Sequence, residues 1–98
     1  MVSLKGTRIT WLGHATVLVQ TAKGTNILID PFIENNPKYP KGFKFPEKIN
    51  YILLTHGHGD HVADVARVHQ KTGATVLGMI ELMSWLTQNG VAEDKVIS

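Results

Sequence analysis

The fold is decided by the stretch YILLTHGHGDH, residues 51–61, in which an apolar run leads directly into a dense group of polar side chains. The run Tyr51–Thr55 predicts a buried strand, and the amphipathic run Val62–Thr72 predicts a helix after the group. The polar group therefore lies at the carboxyl end of a strand, where open α/β sheets place their chemistry. Imidazole nitrogens and a carboxylate oxygen at this density suit a divalent cation such as zinc. We therefore predict four metal ligands: His56, His58, Asp60 and His61.

The spacing within this group favours two adjacent cations over one. His56 and His58 are two residues apart, so their side chains project to the same side if the strand end stays extended. A glycine follows each of them and allows a tight turn, so Asp60 and His61 can face a second position beside the first. A histidine tag would be terminal and flanked by linker residues, whereas this group is internal. The pattern therefore indicates a functional metal site.

The same residues resemble the H-x-H-x-D-H signature of the metallo-β-lactamase superfamily. Similarity to its small, lactonase-like, metal-dependent hydrolases extends upstream, over WLGHA at 11–15 and NILIDP at 26–31. The resemblance implies that the first two histidines bind one metal, that Asp60 and His61 bind a second, and that Asp30 supports the site from behind. We expect two divalent cations as cofactors, with zinc as the first choice and manganese or iron as alternatives.

The rest of the pattern predicts an α/β fold with a mixed sheet. Strands at Thr7–Leu12, Thr16–Gln20 and Asn26–Ile29 should form an antiparallel meander. A βαβ unit should then join Tyr51–Thr55 to a strand at Ala74–Leu77. A second helix over Ile80–Asn89 and a strand beginning over Lys95–Ile97 follow. We expect a single domain, residues 1–98, equivalent to the N-terminal half of the αββα sandwich that the resemblance implies.

The resemblance also implies ligands that these 98 residues do not contain. Family members carry a further histidine for each metal and a bridging aspartate in their second half. The other two histidines, His14 and His69, do not lie where those ligands would occur. Either the chain is the N-terminal portion of a longer protein, or it is a short form that completes its site with another chain. We therefore expect self-association or a complementary C-terminal segment.

Residues 31–50 form a long segment without clear periodicity. Loops of this length in a compact domain are usually functional or disordered. One interpretation is a substrate-side loop in which lysines attract an anionic small molecule, with Lys38, Lys41 and Lys44 as candidates. The alternative is a solvated loop that its aromatic side chains tie down.

Other conspicuous residues receive more modest roles. We expect His14 to line the pocket through hydrogen bonds and Thr55 to orient the histidines from behind. The remainder are interpreted as structural: His69, Trp11 and Trp85 as packing residues, and Asp64 as a charge in the first turn that stabilises the helix N-terminus.

Composition excludes several classes of protein. With 43% hydrophobic and 18% charged residues, the chain is typical of globular rather than disordered proteins. The absence of cysteine excludes disulfides and thiolate ligands. A net charge of +2 gives no argument for nucleic acid, and neither a membrane span nor a secretory signal is evident. We expect a cytoplasmic protein with no membrane or nucleic-acid partner.

Together these features predict a metal-dependent hydrolase that uses an activated water on an ester, lactone or phosphoester bond. Asp60 is the predicted catalytic residue, because it could bind metal and hold the attacking water. The alternative is a non-catalytic or split half-domain that keeps the metal-binding segment and needs a partner segment.

Overall fold

A single mixed sheet forms the body of the computed structural model, which describes residues 2–33, 36–43, 45–55, 64–78, 86–88 and 90–97. Within these residues the sheet has seven strands, whose order in space is their order in the sequence. The strands are β1 (Val2–Leu4), β2 (Thr7–Trp11), β3 (Val17–Gln20), β4 (Asn26–Ile29), β5 (Tyr51–Leu53), β6 (Thr75–Leu77) and β7 (Val96–Ile97). Helix α1 (Val65–Thr72) connects β5 to β6, and a 3₁₀ turn (Glu93–Lys95) precedes β7.

The direction of pairing changes halfway across the sheet. Neighbouring strands from β1 to β4 pair antiparallel. The pairs β4–β5, β5–β6 and β6–β7 are parallel. This confirms the predicted meander followed by a βαβ unit. The first strand, β1, was not predicted.

Alternation along the strands separates a covered face from an open one. Opposing residues on the covered face form one row across the sheet: Thr10, Leu18, Leu28, Ile52 and Val76. Each is buried, and the four apolar members share one core with Val65 and Val68 of α1. Burial against the helix therefore fixes the register, because a shift of one residue would turn this row outward.

The next row points to the opposite face and is also apolar. It consists of Trp11, Val17, Ile29, Leu53, Leu77 and Ile97. Trp11 is 58% exposed and Ile97 is 51% exposed. The interpretation of Trp11 as a core residue is therefore wrong, because it follows the buried Thr10 by one position and points to the open face. Trp85 lies outside the described residues.

Element ends differ from the predictions by one to three residues. Leu12, Thr16, Leu54, Thr55 and Ala74 belong to connections rather than strands, and the last strand begins at Val96 instead of Lys95. Helix α1 begins at Val65 and ends where Gly73, at φ +71°, donates its N–H to His69 O over 2.7 Å. Of the predicted second helix, residues 86–88 are helical, and the rest lies outside the described residues.

No helix in the described part of the chain is long and apolar enough to cross a membrane.

Candidate metal centre

The four predicted ligands, His56, His58, Asp60 and His61, lie outside the described residues, as does the catalytic assignment to Asp60. Within the described ranges, no three His, Cys, Asp or Glu side chains are grouped so as to hold a metal ion. The donor set itself, three imidazoles and a carboxylate, has the chemistry that zinc, manganese or iron requires. What the structure shows is the set of contacts on either side of residues 56–63.

Asp30 directly follows β4, and its carboxylate holds the residue that precedes His56. Asp30 is 2% exposed. Its Oδ1 accepts the Thr55 N–H at 2.8 Å, and its Oδ2 accepts the Thr55 hydroxyl in a short hydrogen bond. Since β4 and β5 are parallel neighbours, both residues emerge at the same edge of the sheet. The second carboxylate oxygen adds a side-chain bond to the backbone bond, so the end of β5 is held at two points.

Two of the three non-glycine residues with positive φ in the described ranges lie at this edge of the sheet. Asp30 has φ +46° and His14 has φ +52°, both in the left-handed region that non-glycine residues seldom adopt. Trp11 and Val17 pair across β2 and β3, and Val17 also pairs with Ile29, so the turn bearing His14 lies at the edge where Asp30 emerges. Such backbone strain persists where surrounding contacts enforce it and is frequent at functional sites.

His14 is exposed, and its ring lies beside a residue from the segment that follows β4. The His14 and Phe32 rings have an edge-to-face arrangement, with centroids 5.3 Å apart. The backbone oxygen of His14 accepts a hydrogen bond from the Trp11 indole at 2.8 Å. The structure therefore places His14 at the carboxyl edge of the sheet, with its imidazole against an aromatic ring.

Thr16 connects this turn to the segment after Asp30. Its side chain is completely buried. The Thr16 hydroxyl donates to the Asp30 carbonyl oxygen at 2.7 Å and accepts the Phe32 N–H at 3.0 Å. One hydroxyl thus satisfies the backbone on both sides of Pro31, where the chain leaves the sheet.

Asp64 was expected in the first helical turn, but it lies one residue before α1. It occupies the N-cap position without a side-chain cap hydrogen bond, so the expected position within the first turn is wrong. Asp64 is 3% exposed. Its Oδ2 accepts the Ile33 N–H in a short hydrogen bond, and its Oδ1 accepts from Arg67 Nη1 at 2.9 Å. The carboxylate therefore joins the start of α1 to the segment that follows β4.

Asn36 anchors the beginning of the long segment over the β2–β3 turn. It is 7% exposed, and its Nδ2 donates to Leu12 O at 3.0 Å and to Phe32 O at 2.9 Å. Its Oδ1 accepts the Lys38 N–H at 2.8 Å. The approach is so close that a Cβ at Gly13 would lie 2.6 Å from Lys38 Cβ. Gly13 is therefore required where these segments cross.

The rest of the segment is held by apolar side chains. Ile33, Tyr39, Phe43 and Phe45 are partly buried against the core, and Tyr39 and Phe43 meet edge to face with centroids 6.2 Å apart. In the described part of the segment, this is the arrangement expected of a loop tied down by its aromatic side chains. Lys38 and Lys41 are exposed, whereas Lys44 lies outside the described residues.

An open groove of about 330 Å³ separates this segment from α1. Its walls include Ile33, Tyr39 and Phe45 on one side and Arg67 and Lys71 on the other. Burial raises the pKa of the Tyr39 hydroxyl above its ordinary value of 10.0. The aromatic side chains thus line a surface cleft as well as packing on the core.

His69 is a packing residue, as expected. It is 7% exposed, and its Nδ1 lies 2.9 Å from Ala74 O. Its Nε2 accepts the Ala92 N–H at 3.2 Å, so Nδ1 carries the proton and donates to Ala74. Ala74 precedes β6, so this contact is at the edge of the parallel strands opposite Asp30 and Thr55.

Sequence reasoning did not find the contacts of Thr16, Asn36 and the Asp64 carboxylate. The bonds from Thr16 to Asp30, from Asn36 to Leu12 and from Ile33 to Asp64 join positions 14, 24 and 31 residues apart. The one available signal was Asn36 beside Pro37, a combination typical of turns.

Comparison with known proteins gives the family. The model of the metallo-β-lactamase superfamily matches residues 9–96. A protein named UPF0173 metal-dependent hydrolase from Rubrobacter xylanophilus is 49% identical over 88 residues, which is 90% of this chain and 36% of that protein. A second, from Koribacter versatilis, is 44% identical over 90 residues, covering 92% of this chain and 39% of the relative. The chain thus spans less than two fifths of the length of these relatives.

Solved structures agree with the fold. The structure of a metallo hydrolase from the archaeon Ignicoccus hospitalis superposes with a TM-score of 0.70 at 28% identity. The superposition covers 94% of this chain and 39% of that protein. As in the sequence comparisons, the matched part is a fraction of a larger fold.

Proposed function

Because the chain belongs to the metallo-β-lactamase superfamily, we propose that it provides part of the active site of a metal-dependent hydrolase. The proposed substrates are esters, lactones or phosphoesters, and two divalent cations, zinc first, are the proposed cofactors. The observation that carries the proposal is the buried Asp30 carboxylate holding Thr55 next to the donor-rich residues 56–61. A buried carboxylate that fixes the residue before a set of metal donors is the kind of outer support that metal sites commonly have.

Different residues of the chain would bind the cations, orient the metal donors and line the pocket. His56, His58, Asp60 and His61 would bind the cations, and Asp60 would also hold the attacking water by accepting its hydrogen bond. Asp30 and Thr55 would orient the donors from behind, and His14 would line the pocket at the same edge. When bound, divalent cations would lower the pKa of a water molecule and stabilise negative charge on the substrate oxygen.

An anionic substrate is supported by the position of the lysines. Lys38 is exposed, and its backbone lies against the turn that contains Gly13 and His14. Lys41 is exposed on the same segment. Both ammonium groups could therefore attract a carboxylate or phosphate toward the carboxyl edge, and Lys44 remains a third candidate.

The test is the metal content and hydrolytic activity of the longest natural form of the protein. Wild type should bind two cations per chain and hydrolyse model esters, lactones or phosphodiesters. His58→Ala should lose metal and activity together, because it removes a donor. His69→Ala is the matched control and should keep both, because His69 bonds at the opposite edge. Full metal content in His58→Ala would contradict the ligand assignment.

A second candidate function is a non-catalytic or split half-domain that needs a partner segment. It is favoured by the open apolar face, on which Trp11, Tyr51 and Ile97 are exposed. The partner would be a complementary C-terminal segment or a second copy that covers this face. Zero or one cation without turnover in the experiment above favours this candidate; two cations with turnover favour the enzyme.

A further inference from the structure

The eight residues 56–63 are flanked by two residues, Thr55 and Asp64, that bind the same short segment. Thr55 donates twice to the carboxylate of Asp30. Asp64 accepts from the backbone of Ile33, three residues further along. The residues on either side of 56–63, Thr55 and Asp64, are therefore both bonded to segment 30–33.

Segment 30–33 is itself held rigidly. The buried Thr16 hydroxyl bonds the Asp30 carbonyl and the Phe32 N–H, one residue on either side of the buried Pro31. Asp30 N also donates to Leu53 O at 2.9 Å, which extends the pairing of β4 with β5. A segment bonded from the β2–β3 turn, from the end of β5 and from the start of α1 has little freedom to move. Segment 30–33 can therefore hold Thr55 and Asp64, which are bonded to it, in fixed positions.

We propose that Asp64 is a positioning residue of the metal centre, whose carboxylate fixes the exit of residues 56–63 on the backbone of Ile33 while Asp30 fixes their entry. This inference rests on the proposed function, because it assumes that residues 56–61 bind the cations. It assigns to Asp64 neither metal binding nor helix capping. Ligands that are held at both ends lose less conformational freedom on binding, so the metal is bound more tightly.

Burial and charge support a dedicated role for this carboxylate. Asp64 is 3% exposed, and carboxylates are seldom buried to this degree unless they are bonded. Its two oxygens face different partners, the Ile33 N–H and the Arg67 guanidinium one helical turn later. The side chain of Arg67 is 52% exposed, so the ion pair reaches solvent while the bond to Ile33 faces the protein.

Zn²⁺ affinity, measured by competition with a chromogenic chelator in the longest natural form of the protein, tests the proposal. Asp64→Ala removes the acceptor for Ile33 and should weaken binding by about 10- to 100-fold, the usual effect of losing an outer support. Asp64→Asn keeps one oxygen acceptor and should bind within a few-fold of wild type. Arg67→Gln removes the ion pair and keeps the bond to Ile33, so it should also remain near wild type.

His69→Ala controls for simple loss of stability. Like Asp64, His69 is buried and makes two hydrogen bonds close to α1, but its bonds lie at the opposite edge of the sheet. It should lower stability without changing Zn²⁺ affinity. Unchanged affinity in Asp64→Ala would overturn the proposal, and so would an equal loss of affinity in His69→Ala.

A wild-type measurement covers the case in which Asp64→Ala does not fold. Coupling is reciprocal, so if the bond between Asp64 and Ile33 favours metal binding, then metal binding must favour that bond. Saturating Zn²⁺ should slow hydrogen exchange at the Ile33 amide more than at the Gly24 amide, which bonds Thr21 O in the β3–β4 turn at the opposite edge of the sheet. Equal changes at the two amides would overturn the proposal. A wild-type protein that binds no Zn²⁺ would overturn the proposed function as well, whereas normal binding with either negative result overturns only the role of Asp64.

Discussion

Replacing Gly13 with alanine should destabilise the protein much more than the same replacement at Gly24. Both glycines have a left-handed backbone, with φ +98° at Gly13 and φ +90° at Gly24. At Gly24 no heavy atom lies within 4 Å of the position that a Cβ would occupy. At Gly13 that position is 2.6 Å from Lys38 Cβ and 2.8 Å from both Lys38 C and Asn36 Nδ2. The pair therefore separates backbone strain from steric conflict.

The magnitude follows from adding these two effects. Left-handed backbone costs an L-residue about 1–2 kcal/mol, and this cost applies to both variants. Overpacking a filled site costs about 1–3 kcal/mol more, and it applies only to Gly13→Ala. Relief would require residues 36–38 to move away, which strains the three hydrogen bonds of Asn36. We therefore expect Gly13→Ala to lower the free energy of unfolding by about 2–5 kcal/mol and Gly24→Ala by about 1–2 kcal/mol.

Urea titration followed by circular dichroism measures both variants against wild type. The difference between Gly13→Ala and Gly24→Ala isolates the contact with Asn36 and Lys38, because the backbone term cancels. Equal destabilisation of the two variants would refute the reasoning, since it would mean that residues 36–38 do not lie on the β2–β3 turn.

Two further predictions concern pH and association. Burial raises the pKa of Tyr39 above 10.0, so the folded state keeps the phenol proton to a higher pH than the unfolded chain does. The free energy of unfolding should therefore fall as pH rises above 10.0. In alkaline urea titrations Tyr39→Phe should lose less stability than wild type, whereas Tyr51→Phe, at an exposed site, should behave like wild type. The isolated 98-residue chain should self-associate at micromolar concentration through its open face. Ile97→Lys should shift sedimentation toward monomer, whereas Gln70→Lys, on the exposed side of α1, should not; a compact wild-type monomer that folds cooperatively would contradict the exposed-face argument.

Periodicity and turn residues were sufficient to predict most of the architecture. The strand Asn26–Ile29 was predicted with the bounds that the structure shows. The end of α1 at Gly73 was predicted because glycine adopts the left-handed cap conformation at little cost. Strand β1 was missed because its sequence, VSL, lacks the apolar run that indicated β5 and β6, which have the same length.

Local pattern could not predict contacts between distant positions. Alternation along β2 places Trp11 and Thr10 on opposite faces of the sheet, but it does not say which face the helix covers. Trp11 was therefore assigned to the core, although it is exposed. The carboxylate of Asp64 was interpreted from its place beside a helix, whereas its partner Ile33 lies 31 residues earlier. Asp30 was easier to place, because the carboxyl ends of neighbouring parallel strands meet at one edge. The assignments of the metal ligands and of the lysines remain predictions.

The matching order of strands in sequence and in space has a consequence for how the chain folds. Each strand pairs with the strand that precedes it in the sequence. The sheet can therefore grow in one direction, without a later strand being inserted between earlier ones. The connection between β4 and β5, residues 30–50, is about four times as long as the connection between β2 and β3, residues 12–16, and its closure costs about 1.2 kcal/mol more in chain entropy. We therefore expect hydrogen exchange in pulse-labelled refolding to protect the meander first, with the parallel strands adding to a template that already exists.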